Sequence, residues 1–241
     1  MKTVVAALAC IVALSWLYLI TGAGMPTMDM GGGKVMLMPP PSWSIGYAAI
    51  MFAMWSIMMV AMMVPSATPT ILRIASSAEG IFEAAFFSAG YLIVWIGFSA
   101  VATAAQFAFD SMHVLSDSMA IRSGVLAGLT IVGAGLYQLS PLKQNCLRYC
   151  CSSKSLLADD PIQSPSLAVR AGLSYGASCL GCCWGLMCLL FVVGVMNLYW
   201  ISAITIWVLA EKTLPWGLRI ARVTAVGLIG WGCVAIAIAA F

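Results

Sequence analysis

The feature that most constrains this chain is a series of apolar stretches, each about as long as a helix that crosses a membrane. Residues 4–20 and 43–64, for example, contain no charged side chain. A helix of about 20 residues rises about 30 Å, which is the thickness of the hydrocarbon core of a bilayer. Charged residues make up only 8% of the chain, against roughly 25% in soluble domains. We therefore predict an all-α, polytopic membrane bundle.

The apolar stretches predict about seven transmembrane helices in a single integral membrane domain, residues 1–241. The second helix should end at Pro65, because proline lacks the N–H group that a helix interior needs. The fifth is longer than a straight span requires, so we expect a tilt or a break in it. The predicted spans cover residues 4–20, 43–64, 81–109, 119–139, 167–196, 198–210 and 222–241.

Basic residues set the predicted orientation. With the N-terminus in the cytoplasm, the predicted outer segments contain only Lys34 and Arg122 among the 11 lysines and arginines. This asymmetry agrees with the positive-inside rule. It places the Met-rich loop 22–42 and the C-terminus outside, and the polar loop 141–166 in the cytoplasm. The basic residues are scattered and the net charge is only +3, which argues against nucleic-acid binding.

Cysteines are concentrated in the predicted fifth helix, where Cys179, Cys182, Cys183 and Cys188 fall within ten residues. The first three share one helix face, because residues three and four apart are neighbours on a helix, and Cys188 lies on the other side. Converging thiols favour a soft-metal site or thiol redox chemistry. The alternative is that cysteine serves as a small apolar residue at a tight helix contact. The predicted cytoplasmic loop adds three more candidate ligands, Cys146, Cys150 and Cys151.

Methionines form a second group of sulfur atoms. In the second helix, Met54, Met58 and Met62 recur every four residues with Met51 beside them, so they share one face. Thioethers bind Cu(I) without losing a proton, whereas thiols must be deprotonated. The alternative for this row is adaptable packing, and for the outer loop it is a subunit interface. The outer-loop candidates are Met25, Met28 and Met30, with Met36 and Met38 nearby.

Several function classes find no support in the sequence. It contains no paired carboxylates, no nucleophile motif and no dinucleotide fingerprint, so we expect no enzymatic activity beyond a thiol redox reaction. The single histidine, His113, argues against haem and against an ordinary catalytic zinc site. We expect Glu211 and Lys212 to pair or to extend to the inner membrane surface.

The arrangement of these motifs resembles a bacterial family of predicted metal-binding integral membrane proteins. The resemblance rests on Met62-Met-Val-Pro-Ser66, on Tyr137-Gln-Leu-Ser-Pro-Leu-Lys143, on Cys179-Leu-Gly-Cys-Cys-Trp184 and on Glu211-Lys212. It covers most of the chain from about residue 45 and implies metal binding in a bacterial inner membrane. The Met spacing of the second helix is also similar to that of high-affinity copper transporters, although those have three spans per chain.

The sequence thus favours a Cu(I)-binding protein of the bacterial inner membrane that acquires copper at the outer Met loop and holds or delivers it through its cysteines. A second hypothesis is an accessory or assembly subunit of a membrane complex, such as a copper-dependent oxidase. A third is a transmembrane thiol–disulfide redox protein. The expected partners are membrane lipid and either a membrane-protein complex or further copies of the chain.

Overall fold

The computed structural model describes residues 2–22, 27–29, 35–37, 43–76, 80–116, 119–151 and 164–240. These residues are almost entirely helical, which confirms the all-α prediction. Two three-residue strands form a small antiparallel hairpin before the second helix. The elements are α1 (Lys2–Ile20), β1 (Thr27–Asp29), β2 (Val35–Leu37), α2 (Ile45–Ala75), α3 (Gly80–Ser111), α4 (Gly124–Leu139), α5 (Pro141–Cys151), α6 (Pro165–Met187), α7 (Leu189–Val193), α8 (Leu198–Thr213) and α9 (Gly217–Ala240).

Five helical stretches in the described part of the chain are long and apolar enough to cross a membrane: α1, α2, α3, α6 continued by α7, and α9. The bent pair of α4 and α5 makes a sixth if it counts as one span; its two helices meet at 62°. We expected seven. The difference arises at α8, whose 16 residues reach only about 24 Å at 1.5 Å per residue. The expected break in the long fifth span is present at Cys188, between α6 and α7.

The second helix does not end at Pro65, contrary to the prediction, but continues through Pro65 and Pro69 to Ala75. Two hydroxyl groups next to the prolines bond to carbonyls of the same helix. Ser66 donates to the carbonyl of Met63 at 2.9 Å, and Thr68 donates to the carbonyl of Val64 at 2.9 Å. Prolines are tolerated inside membrane helices where serine, threonine or neighbouring helices take up the freed backbone groups.

Two described parts of the segment 22–42, Thr27–Asp29 and Val35–Leu37, are strands, where a loop was expected. Within it the backbones of β1 and β2 pair, with Met28 opposite Met36. The predicted ligands Met25 and Met30 lie outside the described residues.

The core of the bundle is built around α2. It runs antiparallel to α3, since Trp55 near the start of α2 contacts Gln106 near the end of α3, while Met63 further along contacts Tyr91. The two helices therefore place the start of α2 and the end of α3 at the same end of the bundle. We call this end the α2-start end.

Glycines bring two helix pairs into backbone contact. A Cβ atom on Gly172 of α6 would lie 2.1 Å from the carbonyl oxygen of Phe87 on α3, and one on Gly128 of α4 would lie 2.9 Å from the carbonyl of Gly232 on α9. Small residues at helix contacts are typical of membrane bundles, because they let backbones approach closely.

We expect Gly172→Ala to destabilise the protein by about 1–3 kcal/mol, because the added methyl group must push α6 away from α3. Gly97→Ala is the matched control, since a Cβ there meets nothing within 4 Å. The measurement is the midpoint of thermal unfolding in detergent. Equal midpoints for the two variants would contradict the close contact between α3 and α6.

Candidate metal centre

Three of the predicted cysteines meet inside the bundle near the end of α6. Cys179, Cys182 and Cys183 are buried, with at most 2% of each residue exposed. The sulfur atoms of Cys182 and Cys183 are 3.2 Å apart, and the Cys182 thiol donates to the carbonyl of Cys179 at 3.1 Å. The shared helix face inferred from their spacing therefore points into the bundle.

A fourth thiol reaches this group from α5. Cys150 is buried on α5, which packs against α6 and α8. The first part of the segment 141–166 is thus a helix, which is one of the two forms, a loop or a short interfacial helix, expected for its cysteines. Ser140 initiates this helix by accepting the N–H of Lys143 at 3.2 Å, as an N-cap residue does.

Cys146 lies beside the turn of α6 that carries Cys182 and Cys183. A Cβ atom on Gly181 would lie 2.8 Å from the sulfur of Cys146, so the missing side chain at Gly181 makes room for that thiol next to α6. The hydroxyl of Tyr137 donates to the carbonyl of Gly181 and ties α4 to the same turn. Cys151 is the last residue of α5, and its side chain lies outside the described atoms.

Cys179 has two polar neighbours from other helices. The Nζ atom of Lys212 donates to its sulfur at 2.7 Å, and the hydroxyl oxygen of Tyr91 lies 3.2 Å from the same sulfur. Lys212 also donates to the hydroxyl of Ser66 at 3.2 Å, and Tyr91 donates to the carbonyl of Met63 at 3.1 Å. An ammonium group at this distance balances the charge of a thiolate. The site is therefore arranged to hold sulfur in its charged form.

Glu211 and Lys212 each contact side chains of other helices, which the prediction did not include. Consecutive residues on a helix point in different directions, and here they contact different helices. Glu211 forms an ion pair with Lys143 of α5 at 2.7 Å, with side chains only 1% and 2% exposed, and accepts the amide of Gln138 at 3.3 Å. This ion pair joins α8 to α5 and so positions Lys212 on Cys179.

The predicted methionine row is buried in the centre of the bundle. Met54, Met58 and Met62 are at most 1% exposed, as is Met51. Eleven residues of helix separate Met51 from Met62, or about 16 Å. The row thus runs from the α2-start end towards the turn of α2 where Met63 and Ser66 contact Tyr91 and Lys212, the two polar neighbours of Cys179.

As arranged, no group of three or more His, Cys, Asp or Glu side chains in the described residues is placed to hold a metal ion. The contacts explain why. Lys212 occupies the sulfur of Cys179, and the sulfurs of Cys182 and Cys183 are 3.2 Å apart, whereas two bonds of about 2.3 Å to one ion hold their sulfurs nearly 4 Å apart. Metal binding at these thiols therefore requires Lys212 to move off the sulfur and the thiols to separate.

No pattern in the sequence assigned a role to Tyr91, Ser66 or Lys143, or connected Lys212 with Cys179. One available signal pointed to Lys212, because an ionisable residue at the end of an apolar helix is a candidate functional residue by default. Tyr91 is 88 residues from Cys179, and no periodicity in the sequence connects them.

Comparison with known proteins adds a family. A family model described as copper chaperone, PpoB2, matches residues 52–235. The match spans α2 from its second turn to near the end of α9 and includes the whole thiol group. No curated protein and no solved structure shows a significant match.

We expect Glu211→Gln to destabilise the protein by about 3–5 kcal/mol, because it leaves the charge of Lys143 buried without its partner. Replacing both residues, Lys143→Met with Glu211→Leu, should restore most of the loss, since two apolar residues carry no such cost. Thermal unfolding in detergent measures both effects. Lys2→Met, at an exposed lysine, is the control. If Glu211→Gln unfolds at the wild-type temperature, the ion pair does not hold α8 in place.

Proposed function

The chain belongs to the PpoB2 family of copper chaperones, and we propose that it binds Cu(I) within a bacterial inner membrane at the thiols of Cys179, Cys182 and Cys183. The observation that carries this proposal is the contact between Lys212 Nζ and Cys179 Sγ at 2.7 Å, inside a group of buried thiols. Thiolates are the protein ligands that select Cu(I) most strongly. A non-enzymatic role agrees with the family.

We propose that two of the three cysteines bind as thiolates and the third stays protonated, because charge balance then favours a monovalent ion at this site. Two thiolates and one Cu(I) carry a net charge of −1, which the ammonium of Lys212 neutralises. Two thiolates and a divalent ion such as Zn(II) are already neutral, so the ammonium would be left without compensation. Burying an uncompensated charge costs several kcal/mol in protein interiors. Lys212 therefore acts as a counter-charge that makes the copper-loaded site neutral.

The methionines supply a route of increasing affinity. Thioethers hold Cu(I) without being deprotonated, and thiolates bind it more tightly. The affinity for Cu(I) should therefore rise along the route from Met54, Met58 and Met62 to the cysteines. The Met-rich segment before α2 is the expected first acceptor of the ion. The sequence contains no ATPase motif. Onward transfer is driven by a tighter-binding acceptor protein, to which Cys150 and Cys146 on α5 offer the next sulfur atoms.

The orientation follows from the basic residues and fits this route. With the N-terminus in the cytoplasm, the α2-start end faces outwards and α5 faces the cytoplasm. Copper is then acquired on the outer side and delivered on the inner side, to a membrane complex or a soluble partner.

We expect the triple variant Cys179→Ser, Cys182→Ser, Cys183→Ser to bind Cu(I) at least 100-fold more weakly, because hydroxyls are poor ligands for a soft ion. Competition with a chromophoric Cu(I) chelator under anaerobic conditions measures the affinity. Cys188→Ser, at the end of the same helix, is the matched control and should keep wild-type affinity. Unchanged tight binding in the triple variant would rule out the thiol site. If the wild type binds no Cu(I) and yields an S–S bond near 2.05 Å instead, the redox alternative replaces the proposal.

We expect Lys212→Met to weaken Cu(I) binding about tenfold or more, because the copper–dithiolate unit then keeps its negative charge inside the bundle. Lys212→Arg retains the positive charge and should bind within a few-fold of the wild type. The same chelator competition, run on all three proteins, provides the comparison. Tighter binding by Lys212→Met would show that the lysine only blocks the site and does not balance its charge.

A further inference from the structure

A second group of sulfur atoms surrounds a buried amide at the α2-start end. The Nε2 atom of Gln106 on α3 donates to Met51 Sδ at 3.5 Å and to Met119 Sδ at 3.3 Å. Its Oε1 atom accepts the indole N–H of Trp55 at 2.7 Å. All four residues are buried, with Met119 the most exposed at 6%. Two thioethers therefore point their lone pairs at one polar atom.

The backbone at Met119 is held in an unfavourable conformation to achieve this. Met119 has a φ of 56°, in the left-handed region that costs a residue with a side chain roughly 1–2 kcal/mol. The surrounding turn fixes it: its N–H donates to the carbonyl of Ser116 at 2.8 Å, and Ile121 donates to the carbonyl of Phe191 at 2.8 Å. Strained residues of this kind cluster at functional sites. Here the strain directs a thioether onto Gln106.

We propose that Met51 and Met119 form a Cu(I)-loading site, with Gln106 as its oxygen ligand or positioning residue. This inference rests on the proposed function and extends it. The Nε2 atom of Gln106 marks the point that both sulfur atoms face. A soft cation at that point would displace the amide N–H groups from the two thioethers, while Oε1 keeps the indole N–H of Trp55.

The position of this pair suits the first step of the route. Met51 begins the methionine row of α2, and the buried cysteines Cys179, Cys182 and Cys183 lie beyond the other end of that row. The described ligands of the Met51–Met119 site, two thioethers and an amide, are neutral, so they bind a soft monovalent ion weakly and do not favour hard divalent ions, which require carboxylates. Weak binding and rapid release are what a loading site requires.

The test uses the full-length chain in detergent with all nine cysteines replaced by serine, because any remaining thiol would bind Ag(I), the redox-stable probe of soft-metal binding, more tightly than a thioether. We expect this protein to retain a weak Ag(I) site at Met51 and Met119. Adding Met51→Leu with Met119→Leu should weaken that site at least tenfold. The matched control is Met59→Leu with Met187→Leu, two other methionines at most 1% exposed, which should leave it unchanged.

Substitutions of Gln106 provide a second measurement of Ag(I) affinity. Gln106→Glu should strengthen Ag(I) binding several-fold by adding a charged oxygen, and Gln106→Leu should weaken it. Leucine for methionine conserves volume, and a monodisperse elution profile confirms folding. Equal Ag(I) affinity in the Met51/Met119 variant and the control overturns the loading site. The proposed function is judged separately by the loss of tight Cu(I) binding in the triple Cys→Ser variant, so either idea can fail alone.

Discussion

The structure depends on the placement of one ammonium group on one sulfur atom within an apolar bundle. A lysine charge enclosed by helices needs a counter-charge or a dense set of acceptors, because water is not there to solvate it. Lys212 finds Cys179 and Ser66, and it reaches them because Glu211, its neighbour on α8, is fixed by Lys143 of α5. Four helices, α2, α5, α6 and α8, are thereby brought to one point. The proline-containing turn of α2 belongs to the same arrangement, since it supplies Ser66.

Patterns of nearby residues in the sequence correctly predicted the features that depend only on nearby residues, namely the helices and the faces that their side chains share. The apolar stretches gave the helices, and the spacing of Cys179, Cys182 and Cys183 gave the shared face that the structure turns inwards. The sequence could not show that Lys143, in a polar segment, would be buried against Glu211, because the two are 68 residues apart. Once that partner is present, residues 141–151 can pack as a helix. Pro65 misled the prediction for a related reason, since a proline can continue a membrane helix where neighbouring helices pack around it, and α2 lies at the centre of the bundle.

The methionines also include some whose position the sequence predicts and one whose position depends on distant contacts. A repeat of about four residues is enough to place Met54, Met58 and Met62 on one face of α2, and all three are buried. Met119 follows no repeat. It lies in a turn between α3 and α4, and hydrogen bonds within that turn and with Phe191 hold its backbone in place. Whether a methionine serves packing or metal binding depends on the polar groups around its sulfur, and these come from distant parts of the chain.

The two sulfur groups differ in charge, and this difference gives a copper carrier its direction. At Met51 and Met119 every ligand is neutral, so a bound Cu(I) keeps its full charge. At the cysteines the thiolates and Lys212 together make the loaded site neutral, which favours the ion there. A carrier must also release its cargo, and the contact of Lys212 with Cys179 serves that step too. When copper leaves, one thiolate takes up a proton and the ammonium returns to the other sulfur, so the empty site holds no unpaired buried charge and release costs less than it would from thiolates alone.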